Sequence, residues 1–173
     1  AVSLHRDVLR RRLSRKTITQ NSLFAPAGPQ VVKLTHKSRI FLIEAKEGAT
    51  VISKDKTNQS TIYLKTASGG QIDLDIQTEK ATATANSGGV INLKGTTFSF
   101  DAIVKSGSIV KAYELNSSQT KVKASSGGSC KAYARDIFEA NASLGGSIEV
   151  YGDPKTFNQV ISLGGSIIET NND

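Results

Sequence analysis

The feature that most constrains the fold of this chain is a glycine-centred repeat that returns about every nineteen residues. The first glycines of successive groups are separated by 19, 19, 20, 18 and 19 residues: Gly69, Gly88, Gly107, Gly127, Gly145 and Gly164. Gly48 marks an earlier, looser turn, 21 residues before Gly69. A fixed period of this order is the signature of a repeat architecture, and glycine supplies the positive φ that tight turns need. These glycines are therefore predicted to be structural turns.

Residues at fixed distances from each glycine form columns of similar side chains. Apolar and polar residues alternate on both sides of the glycine, which is typical of strands with one buried face. Three places after the glycine the column reads Val51, Ile72, Ile91, Val110, Cys130, Ile148 and Ile167. We predict two short strands flanking each turn, in coils stacked at about 4.8 Å. The fold class is all-β: a single-domain parallel β-helix (β-solenoid) of about 6–7 coils of roughly 19 residues.

A basic arm precedes the repeats and does not follow their period. Residues 1–30 hold six of the Lys and Arg residues and one Asp, so they carry +5 of the net charge of +7. Leu4, Val8, Leu9 and Leu13 stand at helical spacings, which indicates a short basic amphipathic helix. We divide the chain into this arm with its linker, residues 1–30, and a β-helix domain, residues 31–173.

The arm is also the predicted docking segment. Its surface could be the end of its own solenoid, an acidic partner, an anionic membrane or nucleic acid; a solvated tail is the alternative. The residues predicted to dock are Arg6, Arg10, Arg11, Arg12, Arg15 and Lys16. For the repeat body, nucleic-acid binding is disfavoured, because the body is nearly neutral and its tyrosines form no evident stacking platform interleaved with arginine: Tyr63, Tyr113, Tyr133 and Tyr151.

No set of residues in the sequence makes a convincing catalytic, cofactor or metal site. His5 and His36 are isolated, and Cys130 stands in an interior column, where it acts as a small hydrophobe. The Ser-Gly-Gly groups lack the Gly-x-Ser-x-Gly pattern of a nucleophile elbow and the lysine and helix of a phosphate loop. Carboxylates of the kind that cleave polysaccharides would have to come from Asp73, Asp75 and Asp101, but no acidic cluster recurs on adjacent coils.

The chain has no run of apolar residues long enough for a membrane helix, and its single Cys excludes an internal disulfide. It begins at Ala1 rather than Met, which is compatible with the earlier removal of a targeting segment.

The turn groups and the closing segment resemble a known family. The residues that carry the resemblance are Ser68-Gly69-Gly70, Ser87-Gly88-Gly89, Ser126-Gly127-Gly128, Leu144-Gly145-Gly146 and Tyr151-Gly152-Asp153-Pro154, followed by Gly164-Gly165-Ser166-Ile167. They are similar to the head GIN domain of auto-transporter adhesins, best known from Bacteroidetes envelope proteins. The resemblance extends over roughly residues 40–170 and implies a parallel β-helix at the bacterial cell envelope or outside the cell, with no catalytic motif.

Three functions follow as hypotheses. The first is a non-enzymatic structural or adhesin-like protein that presents β-helix faces to glycans or proteins at the cell envelope. The second is an accessory structural subunit of a large multiprotein assembly, docked through the basic arm, in an organelle or elsewhere. The third and weakest is a polysaccharide-active enzyme. No cofactor is expected in any of them.

Overall fold

The computed structural model describes residues 2–6, 15–18, 40–53 and 55–170. Within these residues all regular structure is β-strand, arranged in a single sheet of stacked coils of about 19 residues, so the predicted β-solenoid is confirmed. The strands are β1 (Val2–Arg6), β2 (Arg15–Ile18), β3 (Ile40–Lys46), β4 (Thr50–Ile52), β5 (Thr57–Ala67), β6 (Gln71–Ala85), β7 (Val90–Lys105), β8 (Ile109–Ser125), β9 (Ser129–Tyr133), β10 (Ile137–Ala142), β11 (Ser147–Tyr151), β12 (Thr156–Ile161) and β13 (Ser166–Thr170).

Strands of successive coils pair in parallel, with each residue beside its equivalent one coil later. From β6 to β13 the column that follows the turn is a continuous series of backbone partners, in the order Ile72, Ile91, Val110, Cys130, Ile148 and Ile167. Like therefore lies on like through the interior, and each coil covers the apolar side chains of its neighbour.

The central coils are more continuous than the sequence predicts. We expected two short strands per coil, but β6, β7 and β8 are single strands of 15, 16 and 17 residues that run from one turn to the next. Two separate strands appear in the later coils, where Asp153-Pro154 lies between β11 and β12. Proline has no backbone N–H to donate at that point. β4 and β5, and β9 and β10, are also separate strands, with no proline in the described residues between them, whereas the central coils bend together and keep their hydrogen bonds.

The helix predicted for the basic arm is wrong over the part of it that the structure describes. β1 and β2 form an antiparallel pair, and β1 lies antiparallel on β3, with Leu4 beside Ile43. The open edge of β3 offers a row of backbone groups to a further strand, and this pairing outweighs the helical spacing of the apolar residues. Val8, Leu9 and Leu13 lie outside the described residues, and so does the proposed boundary at residue 30.

Each coil begins with a turn in which two successive residues have positive φ. Ser87 has φ 51° and Gly88 has φ 71°, and the N–H of Gly89 donates to the carbonyl of Asn86 at 3.1 Å. This is the pattern of a type I′ turn. The turns also bond to one another, since the N–H of Gly88 donates to the carbonyl of Ser106 one coil later at 3.1 Å. The non-glycine residues that share this conformation are Glu47, Ser68, Ser87, Ser106, Ser126, Leu144 and Leu163.

The second glycine of most turns is required for a different reason, which is the close approach of the preceding coil. A Cβ atom on Gly146 would lie 2.3 Å from the carbonyl oxygen of Ala124, well inside van der Waals contact. In one coil Ser108 takes the equivalent place, and its hydroxyl donates to the carbonyl of Ala85 at 2.8 Å.

The core is narrow, and each coil combines large and small inward side chains. In β7 and β10 the largest of them, Phe100 and Phe138, precede the turn. In β6 the large inward residues and the alanines opposite are at most 2% exposed: Ile72, Leu74, Ile76, Ala81, Ala83 and Ala85. At the bend of each coil a polar column replaces the apolar ones, formed by Gln59, Thr78, Thr97 and Ser117. These side chains bond to one another and to bend carbonyls, as when Thr97 Oγ1 donates to Ser99 O at 3.1 Å.

The last described coil departs from this pattern. Gln159 and Glu169 stand in the interior columns that Ala140 and Val150 occupy one coil earlier. Ile161, also in an interior column, is 51% exposed. A charge that points inward is one of the devices that blunt the edge of a sheet against further pairing.

Replacing Gly146 by Ala should destabilise the fold by about 1–3 kcal/mol, because the new methyl group collides with the backbone of the previous coil. The measurement is urea unfolding of both proteins. Leu144→Gly, in the same turn, is the control: it removes an exposed side chain from a positive-φ position and should leave stability equal or higher. A stable Gly146→Ala protein would contradict the close approach.

Cys130→Asp should destabilise the fold by about 3–5 kcal/mol, because an unpaired carboxylate would enter the stack of Ile and Val side chains. Cys130→Val, which matches its column neighbour Val110, should change stability by less than about 1.5 kcal/mol. Urea unfolding measures both. Equal stabilities of the two variants would show that the side chain does not point into the core.

Candidate functional site

The surface that stands out is the post-turn face, which we define as the outward side chains that follow each turn in β6, β7, β8, β9 and β11. One of its outward columns, four places after the glycine, consists of Asp73, Asn92, Lys111, Lys131 and Glu149. The opposite side, the outward side chains that lead into each turn, is the pre-turn face. The two faces differ most in their aromatic residues.

Three tyrosines come together on the post-turn face. Tyr133 and Tyr151 are backbone partners on neighbouring coils, and Tyr113 directly follows Ala112, the partner of Ala132. The ring centroids of Tyr113 and Tyr151 are 5.5 Å apart with an interplanar angle of 37°. Tyr113 is 42% exposed, and the other two rings are half-buried. We call Tyr113, Tyr133 and Tyr151 the tyrosine cluster.

A bulge lies at the first of these rings. The coil that starts at Gly107 has 20 residues, one more than most, and its register against β7 shifts between Asn92 and Lys94. Lys94 is therefore paired with Glu114, and Tyr113 is the added residue. Bulges bend a strand and re-aim its side chains, and they are frequent next to binding and active sites. Here the bulge turns both Tyr113 and Glu114 outward.

The backbone under the cluster is held by hydrogen bonds from the interior. Thr120 Oγ1 donates to the carbonyl of Tyr133 at 2.7 Å, and the N–H of Ala134 donates to the carbonyl of Tyr151 at 3.1 Å. Gly152, with φ +88°, leaves space for the neighbouring ring, because a Cβ there would lie 2.9 Å from Tyr133 Cε2. The backbone that carries the rings is thus held by the neighbouring coils.

Charged side chains beside the cluster neutralise one another. Lys131 Nζ lies 2.8 Å from Glu149 Oε2, and the hydroxyl of Tyr151 donates to the same oxygen at 3.1 Å. This carboxylate raises the pKa of Lys131 above its ordinary value, mainly by hydrogen bonding. Glu114 likewise raises the pKa of Tyr113, first by accepting a hydrogen bond from the neutral phenol and then by its charge.

A shallow groove of about 300 Å³ adjoins the cluster, lined by Asp73, Asn92, Leu93, Lys94, Lys111, Tyr113 and Glu114. Within it Asn92 Nδ2 lies 3.5 Å from Asp73 Oδ2. Asn92 Oδ1 is buried and has no hydrogen-bond partner in the described part of the chain. Lys94 and Lys111 form no ion pair among the described residues, so the groove offers two ammonium groups as hydrogen-bond donors.

The acidic residues considered for catalysis do not form one site. Asp73 and Asp75 lie on the post-turn face, and Asp75 Oδ1 is 3.7 Å from Lys56 Nζ. Asp101 lies on the pre-turn face, with Oδ2 3.1 Å from Lys80 Nζ. Among residues 40–53 and 55–170, where side chains are described, no three His, Cys, Asp or Glu side chains are placed to hold a metal ion.

The remaining sequence-derived candidates divide into buried, turn and arm residues. Cys130 is fully buried, and burial raises the pKa of its thiol above the usual range. The six glycines named as structural turns all have positive φ. Of the arm residues, Arg6 lies in β1, and Arg15 and Lys16 lie in β2. Arg10, Arg11, Arg12 and His36 lie outside the described residues, and the docking role of the arm stays a prediction.

Sequence reasoning missed the tyrosine cluster, although the repeat contains the signal for it. Tyr113, Tyr133 and Tyr151 each stand six places after the first glycine of their turn: Gly107, Gly127 and Gly145. Three aromatic residues in one outward column lie on adjacent strands of the same face, so their rings come close together on the surface. The absence of arginine between the rings argues against nucleic acid, but it leaves other ligands of an aromatic column open.

Comparison with known proteins gives one match. The family described as "putative auto-transporter adhesin, head GIN domain" matches residues 2–154. No curated protein and no solved structure is significantly similar to the chain. In the part of the chain that the structure describes, there is no helix of the length and apolarity needed to cross a membrane.

Replacing Glu114 by Gln should lower the pKa of Tyr113 toward the ordinary tyrosine value, because the charge that opposes its ionisation is removed. The titration of the tyrosine Cζ signals by ¹³C NMR measures this change. Glu79→Gln, at the bend of β6, is the control and should leave the Tyr113 titration unchanged. Identical Tyr113 titrations in wild type and Glu114→Gln would contradict the contact.

Proposed function

Because the chain belongs to the family described as "putative auto-transporter adhesin, head GIN domain", we propose that it is a non-enzymatic, adhesin-like protein that binds glycans or proteins at the cell envelope through its post-turn face. The observation that carries this proposal is the tyrosine cluster. It places three aromatic rings side by side on one outward face, with Tyr113 exposed and the other two half-buried.

The cluster has the physical properties of a recognition surface. Tyrosine presents a large apolar ring with a polar tip, and it immobilises few torsions on binding. The rings are carried by paired strands rather than by a loop, so little ordering remains to be done when a ligand arrives. A site of this kind gains affinity from preorganisation even when the buried area is modest.

The charges support binding rather than catalysis. Glycoside-cleaving enzymes place two carboxyl groups across one bond, with one of them made a stronger base or a weaker acid by its surroundings. Here Glu149 is bonded to Lys131 and Tyr151, and Asp101 is bonded to Lys80 on the other face. These acids are engaged in ion pairs between coils, a role that stabilises the stack.

The experiment compares binding of fluorescently labelled protein to immobilised bacterial envelope and extracellular-matrix preparations. The double variant Tyr113→Ala/Tyr151→Ala should bind at least about tenfold more weakly, the change expected when about 1.4 kcal/mol of interaction is lost. Tyr63→Ala is the matched control, because Tyr63 is also 42% exposed but lies on the pre-turn face. It should bind like wild type.

Circular dichroism melting checks that both variants are folded. Equal binding by wild type and the double variant would overturn the proposal. So would an equal loss in the Tyr63→Ala control, since that loss would not depend on the cluster.

A further inference from the structure

The side chains around the tyrosine cluster favour one class of ligand over the others. We propose that its ligand is a non-ionic polysaccharide that lies along the solenoid axis, with sugar rings on the tyrosines and hydroxyl groups in the adjoining groove. This inference rests on the proposed function and names the ligand class of the same site. Four properties of the site carry it.

The first property is the pairing of aromatic rings with a polar groove. A pyranose ring has a face of C–H groups that packs on an aromatic ring and a rim of hydroxyl groups that need hydrogen bonds. Tyr113 belongs to both halves of the site: its ring is 5.5 Å from that of Tyr151, and it also lines the groove. A sugar on this ring would therefore have its hydroxyl groups beside Asn92 and Lys111.

The second property is the mixture of donors and acceptors in the groove. A hydroxyl group donates one hydrogen bond and accepts others, so it is satisfied best where both kinds of partner are close together. Lys94 and Lys111 offer N–H donors, and Asp73 and Glu114 offer carboxylate acceptors. Asn92, whose amide Nδ2 lies 3.5 Å from Asp73 Oδ2, lines the groove between these charged groups.

The third property is the balance of charge. The cluster and groove hold three lysines, Lys94, Lys111 and Lys131, against three acids, Asp73, Glu114 and Glu149. Nucleic acids and sulfated or uronic polymers are bound by an excess of positive charge, which this surface lacks. A protein partner would need a desolvated apolar centre depleted of charged residues. A neutral ligand rich in hydroxyl groups fits what is present.

The fourth property is the direction of the site. From Asp73 on β6 to Tyr151 on β11 the site crosses five consecutive coils, which is four steps of about 4.8 Å, or about 19 Å. This length accommodates several sugar units in a row and exceeds one unit. Affinity should therefore rise with oligosaccharide length until the site is filled.

The test is affinity electrophoresis of the full chain in gels that contain dextran, mannan, xyloglucan or mixed-linkage β-glucan, with alginate and heparin as anionic comparisons. At least one neutral polymer should retard the protein. The basic arm can cause retardation by the anionic polymers, so that retardation should be the same in Tyr113→Ala as in wild type. Calorimetry with oligosaccharides of the retarding polymer should then show weak binding of the monosaccharide and affinity that increases with chain length. Because no net charge is involved, the affinity should be the same at about 0.05 M and about 0.5 M NaCl.

Binding by variants tests whether the polysaccharide contacts the tyrosine cluster and the groove. Tyr113→Ala and Asn92→Ala should each weaken binding about tenfold or more. Their matched controls, Tyr63→Ala and Asn158→Ala, should bind like wild type, because both controls lie on the pre-turn face. The inference would be overturned if no neutral polymer retarded the protein. It would also be overturned if a neutral polymer retarded the site variants as strongly as wild type.

One further experiment distinguishes a failure of this inference from a failure of the proposed function. Envelope preparations are treated with periodate, which cleaves vicinal diols of sugars, or with protease, before the binding measurement. Loss of binding after periodate alone is the expected result. If binding depends on Tyr113 and Tyr151 but is lost only after protease, the polysaccharide is wrong and the adhesin-like function stands. If neither tyrosine matters, both fall together.

Discussion

The structure depends on the backbone hydrogen bonds between successive coils. Parallel pairing holds each coil at a fixed distance from the next, so all coils must follow the same path and turn at the same place. That requirement explains why two glycines recur together. Gly145 supplies a positive φ in its turn, and Gly146 leaves room for the carbonyl of Ala124 in the coil before it. The turns then join the ladder themselves, since the N–H of Gly127 donates to the carbonyl of Leu144.

The interior follows from the same requirement. When equivalent residues lie on one another, a column can be apolar throughout only if its members fit the same space, and the Ile and Val column after the turn meets this condition with Cys130 in its middle. Bends are where backbone carbonyls turn away from the ladder. Hydroxyl and amide side chains such as Thr97 and Gln59 satisfy them there, so the polar column belongs to the architecture of the coil.

The sequence predicts this architecture well because period and alternation are properties of the whole chain. The turns, the inward columns and the burial of Cys130 all follow from the glycine register. Prediction fails where the outcome depends on a neighbour that the local pattern does not contain. Leu4 has helical spacing to its neighbours, but it lies in a strand because β3 offers an open edge. The bends of β6, β7 and β8 stay within one strand because adjacent coils bend with them.

The candidate site shows how a repeat of this kind acquires a specific surface. Stacking restricts the size and polarity of the inward side chains, whereas the outward side chains can vary. The residues that could recognise a ligand therefore lie on the outer surface. Tyr113, Tyr133 and Tyr151 share one outward column, and the one-residue bulge before Glu114 adds a polar edge without disturbing the coils on either side. The last described coil shows the opposite case. Glu169 enters an interior column there, and an inward charge opposes the addition of a further coil. The candidate site is therefore formed by outward residues, which can differ between coils, and not by the inward residues that repeat in every coil.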